Sequence, residues 1–582
     1  MGPCDRLFLV PVQTDGEMMA IRHLPALVSA LLITLGPFAV TVTLGREGSM
    51  VPQTAGRLPL SLHGPSMPFT VLGAASAFRW IRQFGTSAPD EANALAVDAS
   101  RVYVAGITGN SPGVFLRKYD LEGNVLWSQF GSGGDIYAEA VAVDGSGVYV
   151  AGYMRFPEDP GFNADAFLWK YDLDGNIVWN RTFGTPEIDH ASAVVLDASG
   201  IYVGGLTFGT FPGQTGAGTD AYVRKYARDG NVVWTRQFGT SGTDGAAALA
   251  VNASGLYVAG WAEGTFPGEP TFTGIQDAFL RKYDLNGNVA WTHQFEISEV
   301  AAANAVAVSQ SGVYVAGVVG VDAFVRKYDP DGNVMWTRQF GTTGGGGYAW
   351  ALAVFGSSVY VIGSTRGGTF PGEESGGGDD AFVRRYDTAG KELWTHQFGT
   401  SGSDMARGAA ADASSVYVAG VTDGTFPVQT SAGSADAFLA SVDTLPPTVL
   451  ITSPQNGTTV GPATVSVTGI ASDDVAVGSV EVSADGTTWV LATGTTSWSA
   501  NLTVRERSNT ITARATDTTR NVGTTSVTVM MQSEPPQREL LPLIVLVAGV
   551  SSLVLAVIAA LFILRRRKRH GVHPPEAPPP DK

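Results

Sequence analysis

Five aspartates recur at one place in a repeated pattern. Asp90, Asp135, Asp189, Asp244 and Asp404 each lie in the connection between a Trp-containing segment and the small apolar segment that follows it. If that connection borders a central channel, the carboxylates make a partial ring, and oxygen ligands of that kind suit a divalent cation such as calcium. The competing use is local, each Asp accepting hydrogen bonds from its own turn or from a neighbouring sheet. Ala301 and Gly346 hold the corresponding place in two repeats, which excludes a symmetric site. The five are a candidate ligand or cation face, and beyond calcium no cofactor is expected.

Other chemistries find little support. His190, His293 and His396 stand singly and make no metal triad. No Gly-x-Ser-x-Gly elbow comes with a matching His and acid, and no glycine motif that cradles phosphate joins a strand to a helix. No catalytic residue and no metal centre are therefore expected. Asp172-Leu-Asp174-Gly175-Asn176 and Asp329-Pro-Asp331-Gly332-Asn333 look like pieces of a calcium loop but lack its downstream Glu. They read as hairpin turns with a positive φ at Gly. Arg224 with Trp234, Arg281 with Trp291 and Arg326 with Trp336 fall on consecutive strands, where stacking is the expected use. Trp261 and Trp350, outside the repeated Trp position, are the better candidates for facing a sugar.

The elements that position these residues repeat. A Tyr-containing tetrad ending in Gly occurs seven times, from Val102–Gly106 to Val416–Gly420. Trp-x-x-x-Phe starts at Trp80, Trp179, Trp234, Trp291, Trp336 and Trp394, with a copy one residue shorter at Trp127. Successive Trp copies are 45 to 58 residues apart. One unit, Ala246 to Phe295, reads as four short strands separated by Ala-Ser-Gly, Gly-Thr-Phe-Pro-Gly and Leu-Asn-Gly turns. A period near fifty with four strands per unit predicts a β-propeller. The seventh third strand, Asp436-Ala-Phe-Leu439, has no Trp strand after it, whereas Ala77 to Thr86 supplies one at the other end of the array. The N-terminal strand is therefore expected to complete the last blade of a seven-bladed ring over residues 77–443, removing two open edges.

With those motifs in place the array resembles the prokaryotic seven-bladed β-propeller repeat family, whose blade pattern is similar to NHL repeats. Thr207-Phe-Gly-Thr-Phe-Pro212 through Asp220-Ala-Tyr-Val-Arg-Lys-Tyr226 carries the likeness best. The fifth repeat departs from it, with Val318-Val-Gly-Val321 in place of Gly-Thr-Phe-Pro and Glu296 in place of a glycine. The resemblance implies a surface scaffold and names no reaction.

The chain of 582 residues has a net charge of −16, and its tail from Arg565 to Lys582 is basic, so the acidity lies in the body. That excludes nucleic acid as a partner. The only cysteine is Cys4, so a disulfide framework is excluded as well. Leu540 to Leu564 carries no charge and Arg565-Arg-Arg-Lys-Arg569 follows. These features predict a transmembrane helix at 540–564 with a cytoplasmic tail at 565–582 and an extracellular body. Residues 1–45 read as an export signal or an uncleaved signal anchor, and 46–76 as a linker.

After Pro446-Pro447 the pattern changes to alternating strands. Ser453-Pro-Gln-Asn-Gly457, Ala471-Ser-Asp-Asp474, Asp485-Gly486 and Ala515-Thr-Asp517 to Asn521-Val-Gly523 resemble bacterial Ig-like domains over 446–532. The resemblance implies a β-sandwich, expected to act as a spacer ahead of a linker at 533–539. The expected function is a non-enzymatic membrane-anchored surface protein whose propeller binds a ligand, glycan or protein, as an adhesin or scaffold. The alternatives are an extracellular propeller enzyme (quinoprotein-like, lyase or hydrolase) at the channel mouth, and a receptor passing a signal inward.

Overall fold

The computed structural model describes residues 77–567 except 110–112, 132–134, 156–162, 271–273, 296–299, 462, 505–507 and 533–540. Residues 1–45, expected as an export signal or anchor, the expected linkers at 46–76 and 533–539, Glu296 and the residues beyond 567 lie outside the described residues.

The body is all-β. Seven four-stranded antiparallel sheets follow one another, each in simple up-and-down order. In the sheet that opens with Asp244–Asn252, the hydrogen-bonded neighbours are Gly255–Ala262, Asp277–Tyr283 and Val289–Phe295. The exception is the last sheet, whose outer strand is Phe78–Phe84, paired antiparallel with Asp436–Asp443. Counting Trp strands along the sequence places it there, because only the last third strand lacks a successor.

The Tyr-Val-Ala-Gly strands form the centre of each sheet and are buried on both faces: Tyr202, Val203, Tyr257 and Val258 are wholly inaccessible. The outer strands begin exposed, as at Val232-Val233 and Val289, and these two end on a half-buried Phe238 and a buried Phe295. The first strand of each sheet packs against the first strand of the next, and Asp404–Ala411 packs against Asp90–Val97, so the series of contacts closes on itself. Apolar clusters accordingly bridge sheet pairs; one joins Tyr202 and Val223 of the third sheet to Leu249 and Phe279 of the fourth. The Gly-Thr-Phe-Pro loops contribute Phe211, Phe266, Phe370 and Phe426 as buried wedges. Each wedge is pinned by the Gln of the outer strand, as where the amide of Phe266 donates to Gln294 Oε1 at 2.9 Å.

Residues 448–531 form two further sheets. One joins Thr448–Ser453, Ala463–Ser472 and Ser497–Val504; the other has five strands, including Val477–Ser483, Ser508–Asp517 and Val522–Met531. Strict alternation of exposed and buried residues along Ser497–Val504 turns one face inward, onto a core with Trp498, Val482 and Ile511. A helix follows at Leu541–Arg567, with side chains described from 551 to 565. Among the described residues no helix is long and apolar enough to cross a membrane.

Candidate functional site

Each of the five aspartates opens the first strand of its sheet. Asp189, Asp244 and Asp404 are inaccessible, Asp90 is nearly so, and Asp135 is half-buried. Four of them bind their own turn. Asp244 Oδ2 accepts from the Thr240 amide at 2.6 Å and from the Thr240 hydroxyl at 3.0 Å. Thr86 with Asp90, Thr185 with Asp189 and Thr400 with Asp404 repeat this arrangement. The local use foreseen for these residues is thus present at four positions.

The five do not converge on one another; among the described residues they make no shared cluster. The structure instead brings each of four to a second aspartate at or next to the start of the third strand of the sheet before. The pairs are Asp90 with Asp436, Asp189 with Asp165, Asp244 with Asp220 and Asp404 with Asp380, separated by Gly85, Gly184, Gly239 and Gly399. A methyl group added to Gly239 would overlap Asp220 Oδ1 and stand 2.8 Å from Asp244 Oδ2. The second aspartate is held by the outer-strand Gln: Gln237 Nε2 donates to Asp220 Oδ2 at 2.7 Å, and Gln397 to Asp380 likewise. Burial, with the Asp220 charge adding to it, lifts Asp244 to about 6. Burial also raises Asp189 and Asp404, and Asp380 raises Asp404 further.

A second constellation surrounds the axis. Every first strand carries a register shift a few residues in, so one residue per sheet is left out of the ladder. Those residues are Asn93, Glu139, Ser192, Ala247, Asn304, Trp350 and Arg407. Because the first strands contact each other around the ring, these residues and those two positions earlier line its centre. Arg407 Nη1 lies 2.8 Å from Glu91 Oε2 and 3.4 Å from Asn93 Oδ1. Burial and the Glu91 charge raise Glu139 to about 7, although Arg407 opposes the shift.

Above this ring, Tyr137 stacks on Tyr153 at 4.7 Å and Tyr153 on His190 at 3.9 Å. The Arg155 guanidinium lies 5.3 Å from the Tyr137 ring. Burial, then the Arg155 charge, lowers His190 to about 4, so the imidazole is neutral at physiological pH. Across the mouth, Tyr348 stacks on Trp350 at 5.5 Å, and Trp350 Nε1 donates to Ser364 Oγ at 3.1 Å. Trp350 was legible as an outlier from the repeat. Glu139 and Arg407 were missed, though each is the one charged residue in a small-residue stretch one step past the Ala that pairs with the repeat Gly.

The Arg–Trp stacks are corrected. Arg224 pairs in register with Thr235, and Lys225 with Trp234, so Arg224 and Trp234 point to opposite faces. Arg224 lies over Phe183 and Phe211 at 4.6 and 4.5 Å, Arg281 over Phe238 and Phe266, and Arg326 over Phe295. The residue over Trp234 is Arg236, two positions along the same strand. Asp443, Asp473 and Asp474 bring carboxylates within 4.8 Å of one another, but Arg79 pairs with both Asp443 and Asp474 and supplies the cation.

A bacterial Ig domain family matches residues 447–529. The regulatory protein FlaEY of Caulobacter vibrioides is 27% identical over 307 residues, which span 49% of this chain and 28% of that protein. Among solved structures, an apocarotenoid oxygenase from Synechocystis aligns at 10% identity over 53% of this chain and 71% of its own, with a TM-score of 0.33. A β-fructofuranosidase from Bombyx mori aligns at 9% identity over 63% and 91%, with a TM-score of 0.26. Superpositions at that level carry no argument about this chain.

Proposed function

We propose that the chain is a membrane-anchored surface protein whose seven-bladed β-propeller presents its channel mouth to a glycan or protein ligand. One observation carries the reading: the mouth and the Ig-like domain lie at opposite ends of the strands. First strands start, and second strands end, at the same end of each sheet, which places Tyr137, His190 and Tyr153 together. Asp443 closes a third strand at the other end, and the chain passes from there into the Ig-like domain. If 540–564 anchors the chain in a membrane with the basic run inside, the aromatic mouth points outward. Stacked aromatics beside an arginine are suited to the apolar face and hydroxyls of a sugar, or to a protein side chain. The enzyme reading uses the same mouth, where Glu139 is the carboxyl that burial raises to about 7, poised to exchange a proton near neutral pH.

Glycan-array binding by the full chain in detergent, repeated with Tyr137→Ala and Trp350→Ala, tests this. Binding that either substitution weakens at least about tenfold supports the reading. Binding unchanged by both places the ligand elsewhere, and turnover lost on Glu139→Gln favours the enzyme.

A further inference from the structure

The last sheet lacks something every other sheet has. Its third strand, Asp436–Asp443, is not joined by a hairpin to its outer strand, because that strand comes from the N-terminal side. In five of the other six sheets this hairpin is an Asp-x-x-Gly turn, usually closed by Asn; in the third it opens on Ala227 and Asp229 holds Asn231 instead. In the second sheet, the Asn176 amide donates to Asp172 Oδ1 at 2.8 Å and Asn176 Nδ2 to Asp172 Oδ2 at 2.9 Å. The Gly175 amide donates to the Asp172 carbonyl at 3.1 Å, and Gly175 has φ +90°.

These turns are also docking elements. Each sits on the outer edge of the preceding sheet, where up to three side chains grip it. In the fifth sheet, Lys327 Nζ and Trp336 Nε1 donate to the Thr388 carbonyl at 2.8 and 3.2 Å, and Arg338 Nε donates to the Gly390 carbonyl at 2.8 Å. Arg82 with Gly123, Arg181 with Gly230 and Arg236 with Gly287 repeat the last contact. The sixth sheet presents the same three positions, as Arg385, Trp394 and His396, to a seventh sheet that has no such turn.

The place is taken by the Ig-like domain. Its segment Asp517-Thr-Thr-Arg520-Asn521 reproduces the turn bond for bond. The Asn521 amide donates to Asp517 Oδ1 at 2.7 Å and Asn521 Nδ2 to Asp517 Oδ2 at 2.9 Å. The Arg520 amide donates to the Asp517 carbonyl at 3.3 Å, and Arg520 takes φ +67°, the conformation the blade turns assign to glycine. The sixth sheet grips it with the same three side-chain positions that hold a blade turn in the fifth, acting on different acceptors. Arg385 Nη1 and Trp394 Nε1 donate to Asn521 Oδ1 at 2.6 and 3.4 Å, and His396 Nε2 lies 3.0 Å from the Thr519 carbonyl. Arg520 adds a 2.7 Å ion pair with Glu373, and Asn521 Nδ2 reaches the Asp443 carbonyl at 3.2 Å. Asp517, Thr519 and Asn521 are buried, and Trp394 is 3% exposed whereas its counterparts in the other sheets are half-buried.

We infer that the Asp517–Asn521 turn is a surrogate blade turn supplied by another domain, so that the Ig-like domain completes the ring and folds with it as one cooperative unit rather than hanging from it as a free spacer. A spacer needs only a tether; a surrogate turn needs this sequence geometry and this receiving edge.

Calorimetry and hydrogen exchange on the full chain in detergent test it. The wild type is expected to melt with ring and Ig-like domain in a single transition. Arg385→Ala with His396→Ala, on the receiving edge, is expected to split that transition and to speed amide exchange at 517–521 by about tenfold or more, leaving exchange in the Ig core at 511–515 unchanged. Grafting the blade turn Leu-Asn-Gly into the Ig-like domain (T518L, T519N, R520G) is expected to keep the single transition. Separate melting of the two parts in the wild type overturns the inference. So does unchanged exchange at 517–521 in the edge variant, or a graft that melts like the edge variant.

Discussion

Replacing Asp244 by Asn isolates the cost of burying one carboxylate beside another. Asp244 is inaccessible, faces Asp220 across Gly239, and is raised from 3.8 to about 6. The native state therefore holds a proton that the unfolded chain releases between those values. Stability falls as pH rises from about 4 to 6 and is flat beyond, the reverse of the usual salt-bridged aspartate. A shift of about 2 units corresponds to about 3 kcal/mol. Asn keeps an oxygen at the Oδ2 position for the Thr240 amide and hydroxyl and replaces Oδ1 by NH2, so it removes the charge without emptying the site. The expected result is a difference in unfolding free energy, Asn variant minus wild type, that climbs by about 2–3 kcal/mol between pH 4 and pH 7 in urea titrations. A difference that does not change with pH refutes the reasoning. Calcium provides a second arm. If a cation bridges Asp220 and Asp244, calcium stabilises the wild type at pH 7 and not the variant; if Thr240 and Gln237 alone satisfy the pair, it affects neither.

Phe78→Ala removes a ring packed edge-on against Phe398 at 4.7 Å where the N-terminal strand meets the sixth sheet, and should cost about 3–5 kcal/mol in chemical denaturation. Gly239→Ala places a methyl group against both carboxylates of a pair and should lower the melting temperature far more than Gly145→Ala, whose added carbon meets nothing within 4 Å. Glu139→Gln should leave stability nearly unchanged at pH 4 and raise it at pH 8, because the unfolded carboxyl releases its proton from 4.5 upward whereas the native state holds it to about 7; equal effects at both pH values would refute the burial argument.

The repeated sheets were legible because every unit restates the same strands and turns, so a weak local signal is averaged over many copies. The destination of Ala77–Thr86 was legible from a mismatch between third and fourth strands. The carboxylate crevices were half legible: Asp244 stood out by position, but Asp220 sits in an Asp-Ala-Tyr motif that reads as strand sequence, and only folding puts the two across Gly239. Register decided the arginines, since a one-residue offset against Thr235 and Trp234 moves Arg224 to the other face. The Ig turn escaped notice because Arg520 stands where the comparable turns have Gly, and a positive φ at Arg is not written in sequence.

A ring of equivalent strands puts equivalent residues around its axis, so whatever the channel distinguishes must come from departures at the position that the register shift frees and at the position two residues before it. Those departures are distributed unevenly. Acid sits on the first and second sheets as Glu91 and Glu139, base on the last as Arg407, and an indole on the sixth as Trp350, while the fourth offers Ala247. Arg407 is committed to Glu91 at 2.8 Å, and burial keeps both Glu139 and His190 neutral through much of the range below pH 7. The charge left at the mouth is therefore that of Arg155 over Tyr137 and Arg366 over Tyr348, positive despite a net charge of −16 for the chain. Selection there rests on ring faces, hydrogen bonds and these two guanidiniums, so binding of a neutral ligand at the mouth should change little between low and high salt, whereas an anionic ligand should lose affinity as salt rises.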